Sequence, residues 1–179
     1  RKLYFKQEFK NNMSEKINPI ISKYTKEPFT KITFIPDYKK FGIDNITDDL
    51  IYLIEKRAYD MVACSNGELK VYFNDKKLNI NNLDNYINLY INSNNKDNID
   101  GNFVSEKVNE RWSVGACLTP SFGFKQVSFV NGIYTSRGGR HVDYITKQIT
   151  SEMVNYIYKK KKIKVSENVI KENIMVFVI

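Results

Sequence analysis

SFVNGIYTSRGGRHVDY, residues 128–144, decides the fold: an apolar strand runs into Arg137-Gly138-Gly139-Arg140-His141 and straight on into an amphipathic helix. A strand that turns so sharply into a helix needs positive φ or close backbone approach, which glycine supplies without strain. Beyond the glycines, Val142, Ile145, Ile149, Met153 and Ile157 recur every three or four residues, so residues 140–158 read as one long helix with a single buried stripe. Lys159, Lys160, Lys161 and Lys162 end that helix. Residues 166–173 form a short second helix, and residues 174–179 (IMVFVI) form a strand apolar enough that it must be buried.

Working back toward the N-terminus, residues 4–13 (YFKQEFKNNM) and the polar stretch up to Pro28 read as a connector with some helical tendency. Residues 32–35 form a short strand, stopped by Pro36, which has no amide to donate. Thr47 caps the next helix, Asp48 and Asp49 favour its positive end, and Leu50, Ile51, Ile54, Ala58, Met61 and Val62 lie at helical spacing on its core face. Asn66-Gly67 marks a tight turn, after which Leu69, Val71 and Phe73 alternate with polar residues as in a half-buried strand. Residues 83–91 form a short amphipathic helix, and residues 93–102 a polar, asparagine-rich loop expected to be mobile. Residues 108–119 and 124–133 are strands, predicted to pair antiparallel across a turn at residues 120–123. The sum is an α+β domain, a mixed sheet covered on one face by helices.

The whole chain sets outer bounds. With 179 residues, 42% of them hydrophobic, it suits one globular domain with a real core. Its 28 Lys and Arg against 20 Asp and Glu give a net charge of +8, which favours an anionic partner such as nucleic acid or acidic lipid. Cys64 and Cys117 match no metal-ligand spacing and read as free buried thiols of a reducing compartment. No apolar stretch reaches membrane-spanning length, and residues 1–10 hold no signal-peptide core. Arg1 lies inside a patterned segment and Ile179 inside an apolar strand, so the chain is expected to extend beyond both.

Few side chains could carry chemistry. Gly138 and Gly139 can form a tight turn packed on the sheet, or expose amides at a helix start to an anion; Arg137 and Arg140 flank them as candidate phosphate contacts. Neither a dinucleotide fingerprint nor a P-loop is present. His141 is the only histidine, so no multi-histidine metal site exists; Asp143 lies two residues on, which on a helix is a different face, and a structural His at the helix start is the stronger assignment. The lysine run is either a solvated helix end, where cations meet the dipole, or a phosphate-binding element. Trp112 and the other aromatics sit at alternating strand positions, fit for core packing more than for base stacking. No Ser/His/Asp or Cys/His set is visible, so no catalytic residue is assigned.

A series of short blocks recurs in order: Phe34-Ile35-Pro36-Asp37, Arg57-Ala58-Tyr59-Asp60, Val71-Tyr72-Phe73-Asn74 with Lys76-Lys77-Leu78, Val108-Asn109 with Arg111-Trp112, and the glycine-pair segment. Together they resemble the transducer domain of the ATP-hydrolysing type II DNA topoisomerases of eukaryotes and large viruses. The resemblance implies a transducer fold like that of a small-subunit ribosomal protein, with a left-handed βαβ crossover. It implies that residues 1–27 close the ATPase domain and its connector, and that residues 28–179 form the transducer, cut before a Gln-Thr-Lys loop. It makes the lysine run, Lys159 to Lys162, a contact to gate-segment DNA. In an ungapped match the family's Lys-Lys-Lys falls on Tyr158, Lys159 and Lys160, and the glycines that usually follow are absent. The matching His is not catalytic in the family.

The resemblance further implies a parent enzyme that uses ATP and Mg, carries the cleaving Tyr, acts on double-stranded DNA as a homodimer and works in the nucleus, or in the cytoplasm if viral. The ATP-binding motifs lie outside residues 1–179, so the piece alone is expected to be inactive. A free-standing RNA- or DNA-binding module of the same fold is the alternative, and a small-molecule kinase of that fold superfamily is disfavoured by the missing phosphate loop.

Overall fold

The computed structural model describes residues 2–65, 67–92, 102–119 and 121–179. The chain forms two compact units, Arg1–Leu50 and Ile51–Ile179. In the first, β1 (Leu3–Lys6) pairs antiparallel with β4 (Ile20–Lys23), and β2 (Phe9–Lys10) with β3 (Glu15–Lys16). The expected helical tendency is absent here. Asn11, Asn12 and Met13 take positive φ between β2 and β3, a conformation Asn tolerates well, and they turn the chain back on itself as a hairpin. The strand expected at residues 32–35 is also missing: a strand requires a neighbour for its N–H and C=O groups, and none of the described residues supplies one. Ile32 and Ile35 are 82% and 87% exposed.

The second unit is entered through α1 (Asp48–Cys64), whose Leu50 N–H donates to the Thr47 hydroxyl at 3.3 Å, the predicted cap. Its core contact is confined to the last two turns. Val62 and Ala63 are buried, whereas Ile54 and Met61, read as core from spacing alone, are about half exposed. The strand predicted at residues 69–74 shrinks to β5 (Tyr72–Phe73), which pairs with β6 (Lys76–Lys77); Asn74 and Asp75 at φ 47° and 62° make the tight primed turn between them. The helix at residues 83–91 is present as α2 (Leu83–Asn92). Asn66, the loop at residues 93–101 and Pro120 lie outside the described residues.

The main sheet has five strands in the order β10-β9-β11-β8-β7: β7 (Phe103–Asn109), β8 (Trp112–Leu118), β9 (Lys125–Val130), β10 (Ile133–Tyr134) and β11 (Ile174–Val178). The predicted β8–β9 hairpin does not form. β11 inserts between them, antiparallel to β8 and parallel to β9. The physical reason is in the composition of IMVFV, whose five residues are all buried: a segment apolar on both faces is stable only at the centre of a sheet. The strand read as one piece from residue 108 is instead a hairpin, β7 folding onto β8, and Asn131-Gly132, at φ 51° and 76°, folds β9 back as β10.

Helices cover both faces, not one. Met175 and Phe177 of β11 join Val127, Phe129, Val62, Ala63, Tyr86 and Ile87 beneath α1 and α2. Ile174, Val176 and Val178 face the opposite way, against Val142 and Ile170 of α3 (Arg140–Lys161) and α4 (Glu167–Lys171). The one-face expectation failed because α1 and α2 come from far upstream and their stripes do not name the face they cover. Met153, placed in the α3 stripe by spacing, is 38% exposed.

One buried charge ties the first face together. Asp60 is only 3% exposed, and its carboxylate accepts from Lys56 Nζ at 3.0 and 3.1 Å, from Arg57 at 2.9 Å and from the Tyr86 hydroxyl at 2.5 Å. A buried carboxylate is tolerable only with such partners. Burial opposes the charge on Lys56, but the Asp60 carboxylate and Tyr90 outweigh it and hold the ammonium pKa above its ordinary value. Burial, with the nearby Asp60 charge, pushes the Cys64 thiol up to about 11, so it is a protonated, inert thiol at neutral pH.

Candidate nucleic-acid interface

The long helix and its two ends hold every candidate from the sequence. At the N-terminal end, the segment after β10 is fixed by a small polar network. Thr135 N–H donates to Ser128 C=O at 2.8 Å, and the Ser128 and Thr135 hydroxyls share a short hydrogen bond. The Gln126 amide donates to the carbonyls of Thr135 and Ser136 at 3.1 and 3.0 Å, and Gly138 N–H also reaches the Thr135 carbonyl, at 2.9 Å. His141 Nε2 lies 3.2 Å from Thr135 Oγ1, while Asp143 is exposed, so the imidazole is engaged by the loop and not by that carboxylate.

Both glycines are explained by this turn. Gly138 sits at φ 71° and Gly139 at φ 149°, and a Cβ on Gly139 would lie 3.2 Å from two atoms of the His141 ring. The Gly139 carbonyl accepts from Val142 and Asp143 N–H, starting α3. Gly139→Val is therefore expected to cost about 1 to 3 kcal/mol, read as a lowered thermal midpoint; an unchanged midpoint would show the turn to be ordinary. Arg137 and Arg140 are exposed on either side, and neither side chain is held by another described residue.

At the far end, Lys159, Lys160 and Lys161 occupy the last turn of α3, and Lys162 caps it in the left-handed conformation at φ 59°, ψ 23°. Its N–H donates to the Tyr158 carbonyl at 3.0 Å and its ammonium lies 5.8 Å above the Tyr158 ring. Lys162 thus fills the position where helices commonly place glycine, at a cost glycine would avoid. All four lysines are exposed and none takes part in an ion pair among the described residues. The chain returns at once to α4, which docks on α3 through Glu167, accepting from Thr150 at 3.4 Å and Ser151 at 3.0 Å. The lysines therefore sit at the exposed C-terminal end of a helix that α4 anchors nearer its middle. Trp112 packs against the core under α3 and α4, not as a stacking platform.

The glycine-pair end and the lysine end are not one site. They sit at opposite ends of a 22-residue helix, about 33 Å long. The sequence reading quoted Arg57 to Asp60 only as a recurring block and passed over the charge cluster there, visible in hindsight as Lys56, Arg57 and Asp60 at three- and four-residue helical spacing, and the approach of both cations to the Tyr134 ring.

A family model described as DNA gyrase B matches residues 79–179, more than half of the chain. The chain belongs to the type II DNA topoisomerase family. It is 42% identical to DNA topoisomerase 2 of Arabidopsis thaliana and 41% identical to that of Acanthamoeba polyphaga mimivirus, each match covering 97% of this chain but only 12% and 14% of the relative. Among solved structures it superposes on the ATPase region of Saccharomyces cerevisiae topoisomerase II with a TM-score of 0.86 at 36% identity, covering 99% of this chain and 44% of that one. The ATPase and transducer domains of the Balamuthia mandrillaris enzyme match with a TM-score of 0.76 at 30% identity, over 99% of this chain and 45% of theirs. The chain thus spans about an eighth of the length of these curated relatives.

Proposed function

We propose that this chain is the transducer segment of an ATP-dependent type II DNA topoisomerase, coupling nucleotide-driven closure of the N-terminal gate to passage of one duplex through another. The observation that carries the proposal is the whole-chain superposition on a topoisomerase II ATPase region, TM-score 0.86, with an exposed lysine run closing its longest helix. In this reading Lys159, Lys160, Lys161 and Lys162 contact gate-segment phosphates, Arg137 and Arg140 are secondary phosphate contacts, and Gly138, Gly139 and His141 build the turn that aims α3. The β9–α3–α4–β11 connection, between parallel neighbours, is the left-handed crossover of the transducer fold, and the functional boundary between the ATPase end and the transducer falls at residues 27 and 28. ATP and Mg, a second copy of the chain and the cleavage core complete the enzyme, in the nucleus or, for a viral enzyme, the cytoplasm. A free-standing nucleic-acid module finds no support in relatives that match 97% of the chain and are topoisomerases.

The mechanism is mechanical. ATP at one end and DNA at the other each bias the same two-state arrangement, and by linkage each changes the other's binding by one and the same factor. Calorimetry of the isolated chain with a non-hydrolysable ATP analogue is expected to show no saturable heat. Micromolar binding would give the chain a nucleotide site of its own and overturn its role as a pure coupling element. The coupling itself is tested by replacing the lysines and comparing ATP turnover with and without DNA.

A further inference from the structure

Lys56-Arg57-Ala58-Tyr59-Asp60 has no role in the DNA contact or in the glycine-pair turn, yet it places two cations where they do more than neutralise Asp60. Lys56 Nζ lies 4.7 Å and the Arg57 guanidinium 4.6 Å from the centroid of the Tyr134 ring, so one aromatic ring on β10 meets two neighbouring cations of α1. Both cations also pair with Asp60, itself 3% exposed and tied to Tyr86. The Tyr134 ring also packs on Phe129 at 5.5 Å.

β10 is a two-residue edge strand paired with β9, with Ile133 70% exposed, and Tyr134 is the residue through which it meets the cations of α1. The residue after Tyr134 is Thr135, the node that accepts Gln126 and Gly138 and meets His141 at the start of α3. α1 is the element through which the chain enters the second unit, and α3 is the lever that ends in the lysines. A tilt of about 5° at the start of a helix about 33 Å long moves its far end by about 3 Å, enough to make or break a phosphate contact.

We propose that Tyr134, gripped by Lys56 and Arg57, is the joint that transmits displacement of α1 to the start of α3 and so sets where the lysine run lies. Tyr134 is a positioning residue, touching neither nucleotide nor DNA. The inference rests on the coupling role proposed above for the lysine run.

The test uses the full-length enzyme. Tyr134→Leu keeps apolar packing on Phe129 and removes the ring face that the cations grip; Tyr134→Phe keeps the ring. With Tyr134→Leu, the ratio of ATP turnover with saturating DNA to turnover without it should fall about fivefold, the low end of an allosteric coupling. DNA-free turnover should be unchanged, and Tyr134→Phe should retain the parent ratio. Because Tyr134→Leu could also loosen the strand, pentafluorophenylalanine at 134 gives the same shape with the ring polarity reversed, and it should reproduce the loss. A parent-like ratio with the fluorinated ring overturns the joint. If the lysine-to-alanine enzyme loses its DNA stimulation while the Tyr134→Leu and pentafluorophenylalanine variants keep theirs, the coupling role stands and the joint falls. If none of these enzymes loses stimulation, both fall together.

Discussion

Replacing Lys159, Lys160, Lys161 and Lys162 together by alanine in the full-length enzyme is expected to bring ATP turnover with DNA close to turnover without it. Each lysine that meets a phosphate releases condensed counterions, so losing four contacts should flatten the slope of log affinity against log salt by about 3 to 4 units. The geometry separates this from a folding defect. All four side chains are exposed and bear no ion pair among the described residues, and alanine at position 162 meets the same left-handed backbone that lysine already occupies. Last-turn cations complement the helix dipole by only a few tenths of a kcal/mol each, so the melting midpoint should hardly move. Equal stimulation in variant and parent at matched salt would return the run to a solvated helix end.

What could be read from sequence, and what could not, follows from the range of the interactions involved. α2, α3, α4 and the buried β11 are set by local periodicity and composition, and all four are where the patterns place them. Strand order is not local. That β11 separates β8 from β9 depends on which of three strands gains most from burial on both faces, a comparison no single segment contains. The same limit explains residues 32–35, whose alternating apolar residues fit a strand but cannot supply a strand's partner. At the candidate site, the glycine pair and the lysine run were legible because a positive-φ turn and a charge run are local features. The grip of Lys56 and Arg57 on Tyr134 was not, since those residues are brought together only by the packing of α1 over the sheet. The Asn131-Gly132 turn was legible in principle: Asn-Gly between apolar runs is a strong hairpin signal, and the strand was read straight through it.

Asp60→Ala should be strongly destabilising although it removes no apolar side chain from the core. Two effects compete in setting its size. Removing one partner of a fully buried ion pair costs about 3 to 5 kcal/mol, but here the cations are not fully buried: the side chains of Lys56 and Arg57 are 38% and 46% exposed and can turn toward water. Their share is therefore screened and small. The Tyr86 hydroxyl has no such escape, since Tyr86 is 1% exposed and would keep only the Tyr90 hydroxyl at 3.0 Å. A lost charge-assisted bond of this kind costs about 1.5 to 3 kcal/mol, and the void left by the carboxylate adds to it. A total of about 3 kcal/mol follows, which for a protein of this size lowers the melting midpoint by about 6 to 12 °C. Asp60→Asn keeps the shape and an acceptor for Tyr86 and should cost clearly less. Tyr86→Phe, which leaves Asp60 with both cations, should cost about 1 kcal/mol, and the double variant Asp60→Ala with Tyr86→Phe should cost less than the sum because the orphaned hydroxyl is gone. Simple additivity in that cycle would mean that Asp60 stabilises α1 through Lys56 and Arg57 alone, and the buried hydroxyl would then not be the group that makes this aspartate indispensable.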